Sequence, residues 1–272
     1  MQTVKKRHDG RSSNQLRPLK ASYDIYGYAL SSVLFEVGNT KVLCSVTIQN
    51  GVPHWMRGKN SGWLTAEYAM LPTATVMRKP REISTLKKNS RCVEISRLIS
   101  RALRSVVDLE KIGERTITID CDVLQADGGT RTACISAAYV ALENAINQLR
   151  ASGEISGPIL KDAVGAISVG LMQGEPLLDI DYAEDSIIDA DYNFVITKSG
   201  NVIEIQGTAE KQPITWEQFE QLRLLAIEGM RHVFAYFDQS NTHTIMNDND
   251  ERKTHKVPLF SLKNRLNTII EP

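Results

Sequence analysis

Thr116-Ile117-Thr118-Ile119-Asp120-Cys121-Asp122-Val123-Leu124 runs into Gln125-Ala126-Asp127-Gly128-Gly129-Thr130-Arg131, and the fold is decided at that junction. Ile117, Ile119, Cys121 and Val123 alternate with polar neighbours, so the first stretch predicts a strand with one buried face. Thr132 to Leu149 then reads as a helix. The two glycines between them let the backbone curl. Amides at the start of a helix have no partner within it and carry the positive end of the helix dipole, so an anion is held there. Arg131 adds a planar fork of donors suited to phosphate. The stretch therefore predicts a phosphate cradle around Gly129, Thr130 and Arg131, although Gly-Gly before a helix serves equally well as a plain turn. It has neither the GK[ST] ending of a Walker loop nor the GxGxxG spacing of a dinucleotide fingerprint.

Working outward, strands are predicted at residues 22–26, 29–37, 41–49 and 63–70, with a hairpin turn at Gly38-Asn39-Thr40. Residues 71–89 contain proline and many charges without a period and predict a long loop. Ile95, Leu98, Ile99, Ala102 and Val106 share one face of a helix over 90–107. In the second half, strands are predicted at 165–172, 176–181, 191–198 and 202–207. Thr215-Trp216-Glu217-Gln218 is a capping box that opens a helix with Phe219, Leu222, Ala226, Met230 and Val233 on one side. This order implies an α/β sandwich with helices covering one side of a mostly antiparallel sheet. The polar composition of 239–256 predicts a linker, and Leu259, Leu262, Leu266 and Ile269 predict a short amphipathic helix. The chain therefore divides into a body, 1–238, and an extension, 239–272.

With 272 residues and 42% hydrophobic composition, the chain can bury a substantial core. Its 32 basic and 32 acidic residues cancel. The balance conceals two blocks: nine basic against two acidic residues from Arg78 to Arg104, and seven acidic residues with no Lys or Arg from Glu175 to Asp191. Each block alone reads as a solvated face; together they suit a site that grips phosphate with one segment and holds a metal or a proton with the other. Cys44, Cys92, Cys121 and Cys134 have no metal-ligand spacing, which predicts core thiols and a reducing, cytoplasmic setting. The N-terminus carries no signal-peptide pattern, and no apolar run is long enough to span a membrane.

Asp185 and Asp191 flank a turn before a strand whose alternation places Asp191 and Asn193 on one face and Tyr192, Phe194 and Ile196 on the other. Two carboxylates at a strand mouth can hold Mg²⁺, or one can move a proton while the other stays ionised. An aspartate in a turn also serves as a simple cap. Arg91 opens the 90–107 helix, where an anion would meet its guanidinium and free amides. Arg97, Arg101 and Arg104 lie deeper in that helix and read as surface or ion-pair residues. Arg78 and Arg81, in the long loop, could reach an RNA backbone.

These residues resemble the ribonuclease PH family, the phosphate-dependent tRNA 3′ exonucleases. The resemblance runs through Arg7-His8-Asp9-Gly10-Arg11, Val37-Gly38-Asn39-Thr40-Lys41-Val42 and Gly62-Trp63-Leu64-Thr65-Ala66-Glu67-Tyr68-Ala69-Met70-Leu71-Pro72. It continues through Glu94-Ile95-Ser96-Arg97-Leu98-Ile99, Asp120 to Thr132, and Glu204-Ile205-Gln206-Gly207-Thr208-Ala209-Glu210. It implies a two-layer α/β sandwich of mixed, mostly antiparallel sheets with helices and a left-handed βαβ crossover. It implies phosphorolysis of RNA 3′ ends by inorganic phosphate, with tRNA precursors and other structured RNA 3′ ends as substrates and nucleotide addition as the reverse reaction. The implied assembly is a homohexameric ring, a trimer of dimers. By motif, the phosphate ligands are Arg91, Gly129, Thr130 and Arg131, the catalytic carboxylates and Mg²⁺ ligands Asp185 and Asp191, and the tRNA-gripping arginines Arg78 and Arg81. Thr73 stands where the family often has a third such arginine. A catalytically silent RNA-binding ring subunit of an exosome-like complex is the alternative.

Overall fold

The computed structural model describes residues 7–81 and 89–251, with side chains described to Ser240. β1 (Leu19–Tyr23), β2 (Ser31–Val37), β3 (Thr40–Asn50), β4 (Trp63–Met70) and β5 (Arg115–Gln125) form one sheet in the order β1-β2-β3-β5-β4. Its pairings are antiparallel except β4 with β5. Parallel neighbours need a crossover, and here α1 (Ser90–Val106) supplies it, followed by the single turn α2 (Leu109–Ile112). After β5 comes α3 (Thr130–Ala151). β6 (Val164–Met172), β7 (Glu175–Leu178), β8 (Ala190–Thr197) and β9 (Val202–Ala209) form an antiparallel second sheet, ordered β7-β6-β8-β9. α4 (Tyr182–Asp185) sits between β7 and β8, and α5 (Trp216–Glu251) follows β9.

The sequence explains the packing. Val33, Phe35, Val42, Cys44, Val46, Ile117, Ile119 and Val123 are the inward residues of β2, β3 and β5, and all are buried. α1 buries Ile95, Leu98, Ile99, Ala102 and Val106, its predicted stripe. α3 differs: it is buried on nearly every side because it touches strands of both sheets. Ala133, Ala137, Ala138, Ala141 and Ala145 allow that close approach. The second sheet shows its other face to α5, where Ile167 and Leu178 lie so close to Gly229 that a Cβ there would come within 2.5 Å of Leu178. Leu222, Ala226, Met230 and Val233 are buried; Leu222, Met230 and Val233 each contribute roughly 1.5–3 kcal/mol by leaving water. The capping box forms as predicted, with Gln218 N–H donating to Thr215 Oγ1 at 3.2 Å and Thr215 N–H to Gln218 Oε1 at 2.9 Å. Cys44, Cys121 and Cys134 are buried, Cys92 is half-buried, and Cys44 Sγ lies 3.1 Å from Cys121 Sγ.

Several elements depart from expectation. The first strand begins at Leu19, three residues early, where it pairs with Val37 of β2, and it ends before Asp24, which takes a left-handed φ of 54°. Residues 179–181 leave the sheet, and Asp185 lies in a helical turn rather than an open one. Residues 239–251, read as a linker from their polarity, continue α5 as helix. The chain clusters into two compact units, 1–236 and 237–272. The amphipathic pattern of 257–270 lies outside the described residues, as do Glu82, Lys87 and Lys88 of the basic block. Among the described residues no helix is long and apolar enough to cross a membrane.

Candidate active site

The junction between β5 and α3 is built from two left-handed glycines, with φ of 76° at Gly128 and 64° at Gly129. L-residues with side chains are strained there. Gly128 has no room for one either: a Cβ would fall 2.6–2.7 Å from the backbone of Asp181 and Ile180. The turn is pinned from outside. Thr40 Oγ1 donates to Gly128 O at 2.7 Å and accepts from Asp127 N–H at 3.0 Å, while Asn39 Nδ2 donates to Asp127 Oδ2 at 3.1 Å. Gly129 is the N-cap residue of α3 and brings no side chain to satisfy its first-turn amides. α3 starts two residues earlier than the sequence predicts, which places Thr130 and Arg131 in that first turn. Tyr68, buried, donates from its hydroxyl to Thr130 Oγ1 at 3.1 Å and fixes the threonine.

This turn opens into a cavity of about 780 Å³. Arg91, Gly129, Thr130, Arg131, Asp185 and Asp191 all line it, and so does Arg78. Thus the cationic and anionic segments, almost a hundred residues apart, meet at one cavity. Arg81 is exposed on the same loop but does not line the cavity. Arg131 is steered by Gln206, whose Oε1 accepts from Nη1 at 2.6 Å, with Glu94 Oε1 at 3.8 Å. One expectation is corrected. The Arg91 N–H is not free for an anion, because Asn89 Oδ1 caps it at 3.0 Å; the guanidinium of Arg91 is what the cavity receives. Deeper along α1, Arg101 pairs with Glu204 at 2.8 Å and Arg104 lies over the Trp63 ring at 4.6 Å, matching their reading as surface and ion-pair groups.

The acidic block sorts itself by partner. Asp179 pairs with Arg17 at 2.6 Å, Asp181 with His8 at 2.7 Å, Asp189 with Lys211 at 2.9 Å, and Glu184 with Arg7. Asp185 and Asp191 remain turned to the cavity. Both carboxyls are raised above the usual aspartate range, first by desolvation. Arg91 and Arg131 pull Asp185 back down, whereas Asp185 and Glu210 push Asp191 further up. Glu210, just past β9, also lines the cavity. Asp185 and Asp191 are the carboxylates of this cavity that a divalent cation could use as oxygen ligands. The alternation predicted for β8 is present: Asp191 and Asn193 face the cavity, while Tyr192 stacks against Phe219 at 5.5 Å.

α4 is a single turn whose two sides do different work. Asp181 and Glu184 form a capping box and bury themselves; Tyr182 and Asp185, also three residues apart, face the cavity. What fixes that orientation is the N-terminal segment. Arg7, Arg11 and Arg17 are buried. Arg7 donates to Glu184, to Leu178 O at 2.7 Å and to Asp179 O at 3.0 Å. Arg17 is held by Asp179 through Nε at 2.9 Å and Nη2 at 2.6 Å, and its Nη1 donates to Asp127 O. One arginine thereby joins the glycine turn to the segment carrying Asp185. Within Arg7-His8-Asp9-Gly10-Arg11, Arg11 pairs with Asp9 at 2.5 Å, but Arg7 finds Leu178, Asp179 and Glu184 some 170 positions away, beyond what local pattern reveals.

Models of the 3′ exoribonuclease family match the chain over residues 15–146 for domain 1 and 162–229 for domain 2. The chain belongs to the ribonuclease PH family. Among solved structures, rice (Oryza sativa) Rrp46 is 20% identical with a TM-score of 0.71, covering 86% of this chain and 99% of that one. The Archaeoglobus fulgidus exosome with RNA bound to its active site is 22% identical with a TM-score of 0.73, over 86% and 93%. An archaeal exosome core gives 21% and 0.69, over 86% and 91%. At such identities these neighbours establish a shared fold. The boundary between the two family domains falls between α3 and β6, so Arg91 and the glycine turn come from the first domain and Asp185 and Asp191 from the second.

Proposed function

We propose that this ribonuclease PH family member is an active phosphorolytic 3′-to-5′ exoribonuclease that trims tRNA precursors and other structured RNA 3′ ends. The observation that carries the reading is the convergence of Arg91, Arg131 and the Gly129–Thr130 turn with Asp185 and Asp191 on one cavity. Two anions, orthophosphate and the terminal phosphodiester, must approach each other, and their repulsion is the main barrier. Arg91, Arg131 and the α3 amides hold orthophosphate and offset that repulsion. An orthophosphate oxygen attacks the last phosphodiester phosphorus, and the bond from phosphorus to the preceding ribose 3′ oxygen breaks. A nucleoside 5′-diphosphate leaves. Asp185, whose raised pKa keeps it protonated to higher pH than an ordinary aspartate, protonates the departing 3′ oxygen. Asp191 would help hold Mg²⁺, which when bound would supply positive charge toward the scissile phosphate. The reverse reaction, nucleotide addition, uses the same groups.

Arg78 and Lys79, exposed at the cavity mouth, suit the incoming RNA backbone, and we assign Arg81 to the same basic path. The fold shared with exosome cores supports a ring assembly, here a homohexamer, in a reducing cytoplasm. Those neighbours also favour a second reading, a silent RNA-binding ring subunit; the complete set of arginines and aspartates argues against it. The test is a tRNA bearing extra 3′ nucleotides, incubated with and without inorganic phosphate. Shortening that requires phosphate and yields nucleoside diphosphates is expected. Phosphate-independent shortening, or none by a protein that still binds the RNA, overturns the proposal.

A further inference from the structure

Beneath the glycine turn lies a hydroxyl that the described protein leaves without a partner. Ser168, in the middle of β6, is 3% exposed, and its Oγ is buried with no hydrogen-bond partner among the described residues. A buried hydroxyl without a partner costs stability and in native proteins calls for an explanation. Position supplies one. Successive residues of β6 point to opposite faces: Ile167 packs toward Gly229 of α5, so Ser168 faces the α3 side. There it lines the cavity, and its Oγ lies 3.7 Å from the point where a side chain on Gly129 would begin. Across the sheet its registered neighbour is Asn193, which also lines the cavity. The floor under the proposed phosphate cradle thus carries a neutral hydroxyl donor contributed by the second domain, while the arginines and amides above it come from the first.

We infer that Ser168 is a further ligand of the orthophosphate ion, donating its hydroxyl to a phosphoryl oxygen from beneath the Gly129–Thr130 turn. The inference rests on the proposed function and adds a residue to that site. A neutral donor suits the place: the arginines already neutralise the nucleophile, and another buried cation would hold it too tightly to react.

The test is Ser168→Ala, compared with wild type in three measurements: thermal midpoint without ligand, the rise in that midpoint with inorganic phosphate, and steady-state KM for phosphate and for RNA. The expected result is an unliganded midpoint equal to or above wild type, since an unpartnered group is removed. The phosphate-induced rise shrinks, and the KM for phosphate increases by roughly ten- to a hundredfold, the value of one hydrogen bond to a charged group. The KM for RNA stays within about twofold. A wild-type phosphate KM and phosphate-induced rise in the variant overturn the inference. So does a lowered unliganded midpoint with both KM values rising together, which marks a structural serine. Should wild type prove not to require phosphate for trimming, the functional reading fails separately, and the phosphate-induced midpoint still reads Ser168 directly.

Discussion

Arg131 and Asp185 divide the chemistry of the cavity, and each predicts a distinct failure when removed. Arg131 makes its hydrogen bond with Gln206 at the cavity edge and takes no part in the core. Arg131→Ala should therefore leave the thermal midpoint within a few degrees and raise the KM for phosphate by roughly a hundredfold, about 2.7 kcal/mol at tenfold per 1.4 kcal/mol; an unchanged phosphate KM would remove it from the cradle. Asp185 and Asp191 behave oppositely on stability. Their folded pKa values are raised, so ionisation disfavours the native state: the unfavourable contribution is absent below the unfolded value near 3.8 and sets in as pH rises through the folded value. Asp185→Asn should thus abolish turnover while raising the midpoint at pH 7, and that gain should vanish on titration toward pH 4. A variant less stable at pH 7 than wild type contradicts the electrostatic account. Both aspartates were legible in sequence because a strand's alternation and a turn's composition are local. Glu210 and Ser168 were not, because their relevance arises from which strands become neighbours.

At the level of elements, the shortest helix is the most constrained. α4 has one turn, too short to hold itself in water, yet it presents Asp185 and Tyr182. Its stability comes from the capping box of Asp181 and Glu184 and from Arg7, buried against Glu184. Removing one partner of a buried pair strands the other charge, at a cost of about 3–5 kcal/mol. Glu184→Gln should lower unfolding free energy by that order in urea titration, while Arg7→Met combined with Glu184→Met should recover part of the loss; a double variant worse than the sum of the singles would refute the pairing argument. The sequence showed α1, α3, α5 and all nine strands within a few residues, because each carries an apolar period, a turn signal or a cap. It did not show α4, since four residues are too few for any period to register.

Across the whole molecule, a chain of zero net charge brings Arg78, Lys79 and Arg91 of its basic block and Asp185 and Asp191 of its acidic block to one cavity. The arrangement separates two kinds of attraction that a uniformly basic protein would merge. Arg91 and Arg131 act inside the cavity at short range, where salt screens little. Arg78 and Lys79 are exposed at its mouth and compete directly with counterions. RNA affinity should therefore fall linearly with the logarithm of salt concentration, with a slope set by the few exposed cations rather than by total charge. Arg78→Ala should lower that slope by about 0.7, one phosphate contact on a single strand, and weaken binding alike for RNAs of different sequence. The KM for phosphate should stay unchanged, because Arg78 does not belong to the cradle. The measurement is RNA binding by fluorescence anisotropy from low to physiological salt, with wild type alongside the variant. An unchanged slope would mean the RNA enters by a path that avoids the loop, and the basic block between residues 78 and 81 would then revert to a solvated surface.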